Sequence, residues 1–414
     1  MSGNDTLASA SPSRDGCAGG HRRSHGLAER LLLRALRGIV AGRLELTLPG
    51  GVCRREGAAP GPRAALSVTR PSRLLARLLA RGDLGFAEAY VAGDWDSPDP
   101  EAVLRLAAVN EPALGRAGRG MALLQAADRL LHRTRRNDRR GSRRNIAFHY
   151  DLGNAFYRLW LDPGMSYSAA CFAAPDEPLE EAQARKNAHM LDLLEARAGD
   201  RVLEIGCGWG GLALAAARRG LRVTGITLSR EQLAHAREQV RAAGLQDRVE
   251  LRLQDYREVD ETFDHVVSVE MFEAVGEAYW PEFFARVHQL LRPGGRAAMQ
   301  VITIDEAVFP SYRRGTDFIQ RYIFPGGMLP SVTAFQAHAA AAGLRTVRAS
   351  RDGRGYAETL RRWRDAFERR LPELEALGFD ARFQRLWRYY LCYCEAGFEL
   401  GRIDLLRTAL HKPG

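Results

Sequence analysis

Val202-Leu203-Glu204-Ile205-Gly206-Cys207-Gly208-Trp209-Gly210-Gly211 is the stretch whose reading decides the fold. A short apolar strand runs into a glycine-rich turn, and Leu212 to Arg219 follows as an Ala/Leu helix. Glycines at such a turn let the backbone take left-handed angles and approach a ligand closely. Downstream the same alternation repeats. Arg222–Thr227 reads as a strand and Arg230–Ala243 as a helix. Val249–Leu253 and Phe263–Val269 read as strands, and Trp280–Leu291 as a helix. Arg292-Pro293-Gly294-Gly295 reads as a turn before a fifth strand, Ala297–Ile304. This pattern predicts an α/β fold with a mainly parallel, doubly wound sheet, whose ligands lie at the carboxyl ends of the strands.

Upstream, residues 1–26 are polar and Gly/Ser-rich and read as a disordered tail. Residues 27–115 read as a small α+β module. It comprises an amphipathic helix over 27–41, alternating Leu44, Leu46 and Leu48 before Pro49-Gly50-Gly51, and helices over 72–81 and 101–108. Residues 116–144 form a linker ending in Arg133, Arg135, Arg136, Arg139, Arg140, Arg143 and Arg144. Residues 145–414 form the main domain, and its part from 305 onward reads as mostly helical and aromatic. Phe383, Leu386, Trp387, Tyr390, Cys394 and Phe398 recur there at helical spacing.

The net charge is +10, and nearly all the cations are arginine, since lysine occurs only at Lys186 and Lys412. Such a surface attracts phosphates of nucleic acid or of anionic lipid. No helix-turn-helix or RNA-binding signature accompanies it, so nucleic acid is not expected as a partner. The six cysteines fit neither a disulfide framework nor a metal knuckle, so reduced thiols, a cytoplasmic location and no metal site are expected. Leu27–Val40 is too short and too charged to span a bilayer.

The spacing Glu204-x-Gly206-x-Gly208-x-Gly210, with the Leu-Arg-Pro-Gly-Gly turn before the fifth strand, resembles class I methyltransferases rather than dinucleotide enzymes. That resemblance implies S-adenosylmethionine (SAM) as cofactor. The second strand ends in Thr227-Leu228-Ser229, with Gln232 after it, where such enzymes usually place a ribose-binding acid. Thr227 and Gln232 offer hydrogen bonds instead. Asp255 and Tyr256 stand where the adenine is held.

Several further segments, in order, resemble the cyclopropane-fatty-acyl-phospholipid and mycolic acid cyclopropane synthases. They are His149-Tyr150-Asp151-Leu152-Gly153-Asn154, Leu161 to Ser168, Gln254 to Arg257, Val267 to Gly276, Tyr322 to Ser331 and Tyr389-Tyr390-Leu391. A weaker likeness, Gly85 to Trp95, points to the phospholipid-acting branch. The resemblance covers residues 145–410. It implies methylation of a cis double bond in a phospholipid acyl chain, most simply closing a cyclopropane ring, with a methyl or methylene branch as the alternative. Tyr167 and Ser168 would fold over SAM. The turn from Leu203 through Gly210, including Cys207 and Trp209, and the segment 227–232 would hold it. Glu273 is the expected carboxylate at the reacting carbons, Tyr356 the expected contact of a bicarbonate base, and Cys394 falls at a cysteine long labelled catalytic.

This chain departs from the family at that base. Ala169 replaces a cysteine, with Cys171 two residues on, Gln300 replaces a histidine, Ala274 stands where a histidine is usual, and Glu270 where a glycine is usual. Bicarbonate is therefore in doubt, and Glu270 is a candidate base or cation stabiliser. The expected partners are phospholipid acyl chains and the anionic inner face of the cytoplasmic membrane, met peripherally. A homodimer is left open. A soluble small-molecule acceptor is the weaker reading, because it needs neither the amino-terminal module nor the aromatic tail. Replacing the seven linker arginines by Gln is expected to weaken binding to anionic vesicles, by about 1 kcal/mol per charge at most, and to spare SAM affinity. Vesicle co-sedimentation reads both.

Overall fold

The computed structural model describes residues 26–114 and 152–414. The basic linker cluster and the segment 149–151 lie outside the described residues. The amino-terminal module holds α1 (Leu27–Leu36), β1 (Ala41–Leu48), β2 (Gly51–Glu56), β3 (Ala59–Val68), α2 (Pro71–Arg81), α3 (Asp83–Val91), β4 (Trp95–Asp96), α4 (Pro100–Val109) and α5 (Glu111–Leu114). Its sheet runs β2-β1-β3-β4, with β1 and β3 parallel. Leu44, Leu46 and Leu48 all turn to the buried face, as their alternation predicts. The expected helix over 27–41 stops at Leu36, and β1 begins at Ala41. Helix α3 has no polar stripe, because it is buried on several sides. At Gly85 a Cβ would lie 2.0 Å from the Arg77 carbonyl oxygen, so α2 and α3 cross there backbone to backbone.

The main domain opens with α6 (Asn154–Arg158) and α7 (Leu179–Asp192). Then come β5 (Arg201–Ile205), α8 (Gly211–Arg218), β6 (Arg222–Thr227), α9 (Arg230–Ala242), β7 (Val249–Leu253), β8 (Phe263–Val269), α10 (Trp280–Leu290) and β9 (Leu291–Ile304). Short helices α11 (Phe309–Tyr312) and α12 (Phe318–Tyr322) precede α13 (Val332–Ala341), β10 (Arg345–Arg351), α14 (Gly353–Arg369), α15 (Leu371–Ala376), α16 (Ala381–Glu399) and β11 (Ile403–His411).

The sheet order is β10-β11-β9-β8-β5-β6-β7. Strands β5 to β9 pair in parallel, and β10 and β11 add an antiparallel edge that the sequence reading missed. Arg292–Gly295, expected as a turn before the strand, lies inside β9 as a register shift against β8. Strand order reverses between β5 and β8. The connections that leave their carboxyl ends therefore run to opposite sides of the sheet, and the crevice between them is where open α/β sheets bind ligands.

The module is not a loose appendage. Arg385 of α16 donates to the Tyr90 carbonyl at 2.6 Å and the Trp95 carbonyl at 2.8 Å. Its guanidinium sits 4.0 Å from the centre of the Tyr90 ring. Leu44, Tyr90 and Trp95 share one core with Trp387, Tyr389 and Phe398. Among the described residues no helix is long and apolar enough to cross a membrane.

Candidate active site

The glycine turn leaves β5 at the point of strand reversal. Gly206, Gly208 and Gly210 have φ of 85, 52 and 92°, the left-handed region that glycine tolerates. The amides of Gly206 and Cys207 donate to the Ile226 carbonyl at 3.0 and 2.9 Å, which pins the turn to β6. A Cβ on Gly206 would meet the Met271 side chain at 3.0 Å, so two loops approach closely there. Glu204, Gly206, Cys207, Gly208 and Trp209 line a cavity of about 1380 Å³ together with Thr227, Leu228, Gln232, Asp255 and Tyr256.

Thr227 donates to the Gln232 side-chain carbonyl at 3.0 Å. Asp255 caps its own turn, accepting from the Arg257 amide at 3.0 Å, and pairs with the Arg257 guanidinium at 2.7 Å. Tyr256 meets Phe283 edge to face. Tyr167 and Ser168 close the cavity from the other side. The Tyr167 hydroxyl lies 2.8 Å from that of Tyr390, and Ser168 accepts from Lys186 at 3.0 Å. Three of the expected cofactor residues do not line the cavity. Leu203 is wholly buried in the sheet core, Gly210 precedes α8, and Ser229 caps α9 through the Gln232 amide at 3.2 Å.

The Glu204 carboxyl is buried, and its Oε2 has no hydrogen-bond partner among the described residues. Burial pushes this carboxyl up to about 8. A buried unpartnered carboxyl is costly, and a cationic ligand in the cavity would satisfy it. The residues present thus fit a sulfonium amino acid.

Lys186 was not among the expected site residues. Its ammonium is buried between Glu204, Glu270 and Asp162, and burial pulls it down to about 8 against their attraction. Its signal was present in the sequence, since it is one of two lysines among sixty cations.

At the end of β8 the cavity meets two partly buried carboxyls, Glu270 and Glu273. Glu273 Oε1 accepts from the Ile302 amide at 2.5 Å, and its Oε2 has no partner among the described residues. Burial, then the charge of Glu270, pushes Glu273 up to about 8. Glu270 has φ of 51°, which a non-glycine residue rarely adopts. Its Oε1 accepts from the Ala169 amide at 2.9 Å and the Gln300 amide nitrogen at 2.7 Å, and its Oε2 from the Tyr356 hydroxyl at 2.6 Å. Burial raises Glu270, and these three donors and Lys186 oppose that rise. Burial and the Glu270 charge hold the Tyr356 phenol well up, so it keeps its proton and donates. Gln300 is wholly buried behind Glu270 and does not line the cavity. Cys171 does not line it either.

Cys394 lines the cavity, but burial raises its thiol well above the ordinary range. A thiol that stays neutral is a poor nucleophile. Cys394→Ala is expected to keep kcat within about threefold, as for a small apolar wall residue, in a methyl-transfer assay. Beyond the carboxyls the walls turn apolar, through Ile302, Phe318, Phe324, Tyr389 and Tyr393 to Leu44, Leu46 and Leu66 of the module. From the aromatic stripe of α16, Tyr390, Cys394 and Phe398 face the cavity, whereas Phe383 and Trp387 pack on Phe156.

A doubly wound sheet with this glycine turn and cleft defines a class I, SAM-binding methyltransferase. The family model described as mycolic acid cyclopropane synthetase matches residues 137–408. The tuberculostearic acid methyltransferase of Mycobacterium tuberculosis is 42% identical over 380 residues, covering 89% of this chain and 88% of its own. The cyclopropane-fatty-acyl-phospholipid synthase of Escherichia coli K12 is 35% identical, covering 86% of this chain and 89% of its own. A crystal structure of a mycolic acid cyclopropane synthase complexed with S-adenosylhomocysteine (SAH) and CTAB superposes with a TM-score of 0.62 at 31% identity. It covers 65% of this chain and 98% of that one. The chain belongs to the mycolic acid cyclopropane synthetase family and is a SAM-dependent methyltransferase.

Proposed function

We propose that the protein methylates the cis double bond of an unsaturated phospholipid acyl chain and closes a cyclopropane ring there. The observation that carries this reading is the single cavity joining the glycine turn, two partly buried carboxyls and a long apolar wall. A soluble polar acceptor has no use for that wall.

SAM, when bound, supplies a methyl already activated on a sulfonium. The chain's own work is therefore to align the olefin, exclude water and manage charge. Tyr167, Ser168 and the turn at 206–209 hold the donor end. The apolar wall holds the acyl chain. As the π pair forms the new carbon–carbon bond, the neighbouring chain carbon becomes cationic. The Glu270 carboxylate, the dipole of the Glu273 carboxyl and the faces of aromatic rings stabilise it. A proton then leaves the transferred methyl, and its bonding pair closes the ring.

The resemblance to the tuberculostearic acid methyltransferase favours a second reading, in which a hydride shift precedes proton loss and leaves a methylene branch. We place the reaction at the anionic inner surface of the cytoplasmic membrane, met peripherally. Lipidomics of unsaturated vesicles treated with protein and SAM tests the class, since either product adds one methylene. Ozone separates the two, cleaving the exocyclic alkene and sparing the ring. No mass gain on unsaturated chains would refute both.

A further inference from the structure

Bicarbonate, which the family resemblance implies as the base, does not fit this site. Its place is bounded by the Ala169 amide, the Gln300 amide nitrogen and the Tyr356 hydroxyl, and all three already donate to the Glu270 carboxylate. Those donors come from three separate parts of the chain and converge on one point. Gln300 is not free to turn, because its carbonyl accepts from Arg407 Nε at 2.7 Å. Arg407 is buried in β11 and fixed in turn by Asp352 at 2.7 Å and the Ala170 carbonyl at 3.0 Å. With its carbonyl engaged, the Gln300 amide nitrogen donates to Glu270 at 2.7 Å and to the Ala169 carbonyl at 3.3 Å. The backbone of Glu270 takes a left-handed conformation to reach this place, and such strain concentrates at functional sites.

We propose that Glu270 is a built-in base that replaces bicarbonate, with Arg407 as the positioning residue that aims Gln300 at it. The inference rests on the reaction proposed above. In the closing step a C–H bond of the transferred methyl breaks and its pair forms the ring bond. The proton passes to a Glu270 oxygen, whose lone pairs are not all used by its three donors. Glu273 is less suited to accept it. Burial and the Glu270 charge favour its protonated form up to about pH 8.

The test uses full-length protein, unsaturated phospholipid vesicles and SAM, in buffer freed of carbon dioxide. Wild type is expected to run at the same rate with and without added bicarbonate. Glu270→Gly suits the left-handed backbone and opens the pocket. It is expected to lose about a hundredfold or more in kcat, to keep SAH affinity, and to recover at least about tenfold of that loss with sodium bicarbonate or formate. Glu270→Gln fills the pocket with a group that cannot accept the proton, and is expected to stay inactive with either anion. Arg407→Gln should lower kcat about tenfold with little change in KM, and Arg407→Lys should recover part of it.

A wild type that needs bicarbonate overturns the proposal, as does a Glu270→Gly variant that keeps pace without anions. A Glu270→Gly variant that binds SAH normally yet is rescued by neither anion also overturns it, leaving Glu270 a structural role. If wild type modifies no unsaturated lipid, the reaction itself falls and the inference with it. If it does and only the variants disagree, the inference alone falls.

Discussion

Gly206→Val is expected to abolish cofactor binding, weakening SAH affinity by about a hundredfold or more, which corresponds to about 3 kcal/mol. Two costs combine. At φ of 85° a β-branched residue is strained, and the new Cβ would press on Met271 at 3.0 Å. Relief of either requires the turn to move, and the turn is held to Ile226 by two amide hydrogen bonds. Isothermal titration with SAH measures the loss. Gly244→Ala is the control. Its φ is 67° with nothing near the added Cβ, so it carries backbone strain away from the cavity and should leave SAH affinity unchanged.

The second large effect is on stability against pH. Glu204 is buried and Glu273 partly buried, and both carboxyls are raised to about 8. Between the ordinary carboxylate range and about pH 8, the folded protein keeps protons that the unfolded chain has released. Stability therefore falls as pH rises through that window. Each pKa unit corresponds to about 1.4 kcal/mol, so even part of the shift at Glu204 lowers Tm by several degrees. Glu204→Gln should flatten the profile. SAH should stabilise the wild type more on the alkaline side of the window, because its ammonium group meets an ionised Glu204. Calorimetric scans across pH, with and without SAH, check both. A Tm that rises with pH for the ligand-free wild type would contradict the assignment of buried protonated carboxyls.

The main-domain strands were legible by two patterns: the mostly apolar Val202–Ile205 runs straight into a glycine turn, and Val249–Leu253, at the sheet edge, alternates apolar Val249, Leu251 and Leu253 with Glu250 and Arg252. The edge strand β10 was not. All seven of its residues are exposed, so no alternation marks it. Helix α3 escaped for the opposite reason, since burial of Leu84, Ala87, Ala89 and Tyr90 leaves no one-sided stripe.

At the site, Glu270 stood out as an acid in place of a glycine. Its hydrogen bonds depend on Ala169, Gln300 and Tyr356 arriving from distant parts of the chain, which spacing cannot reveal. Arg407 had no signal at all, being one more arginine in an arginine-rich sequence. Lys186 had one, as one of two lysines among sixty cations.

The central claim is that the cofactor's methyl faces an acyl olefin across one cavity. Mass spectrometry of unsaturated phospholipid vesicles, treated with the protein and methyl-deuterated SAM, tests it most directly. The prediction is one CD2 unit gained at a chain double bond, matched by SAH, with saturated chains unlabelled. SAH formed without label in unsaturated chains, or label carried by a headgroup, would contradict it.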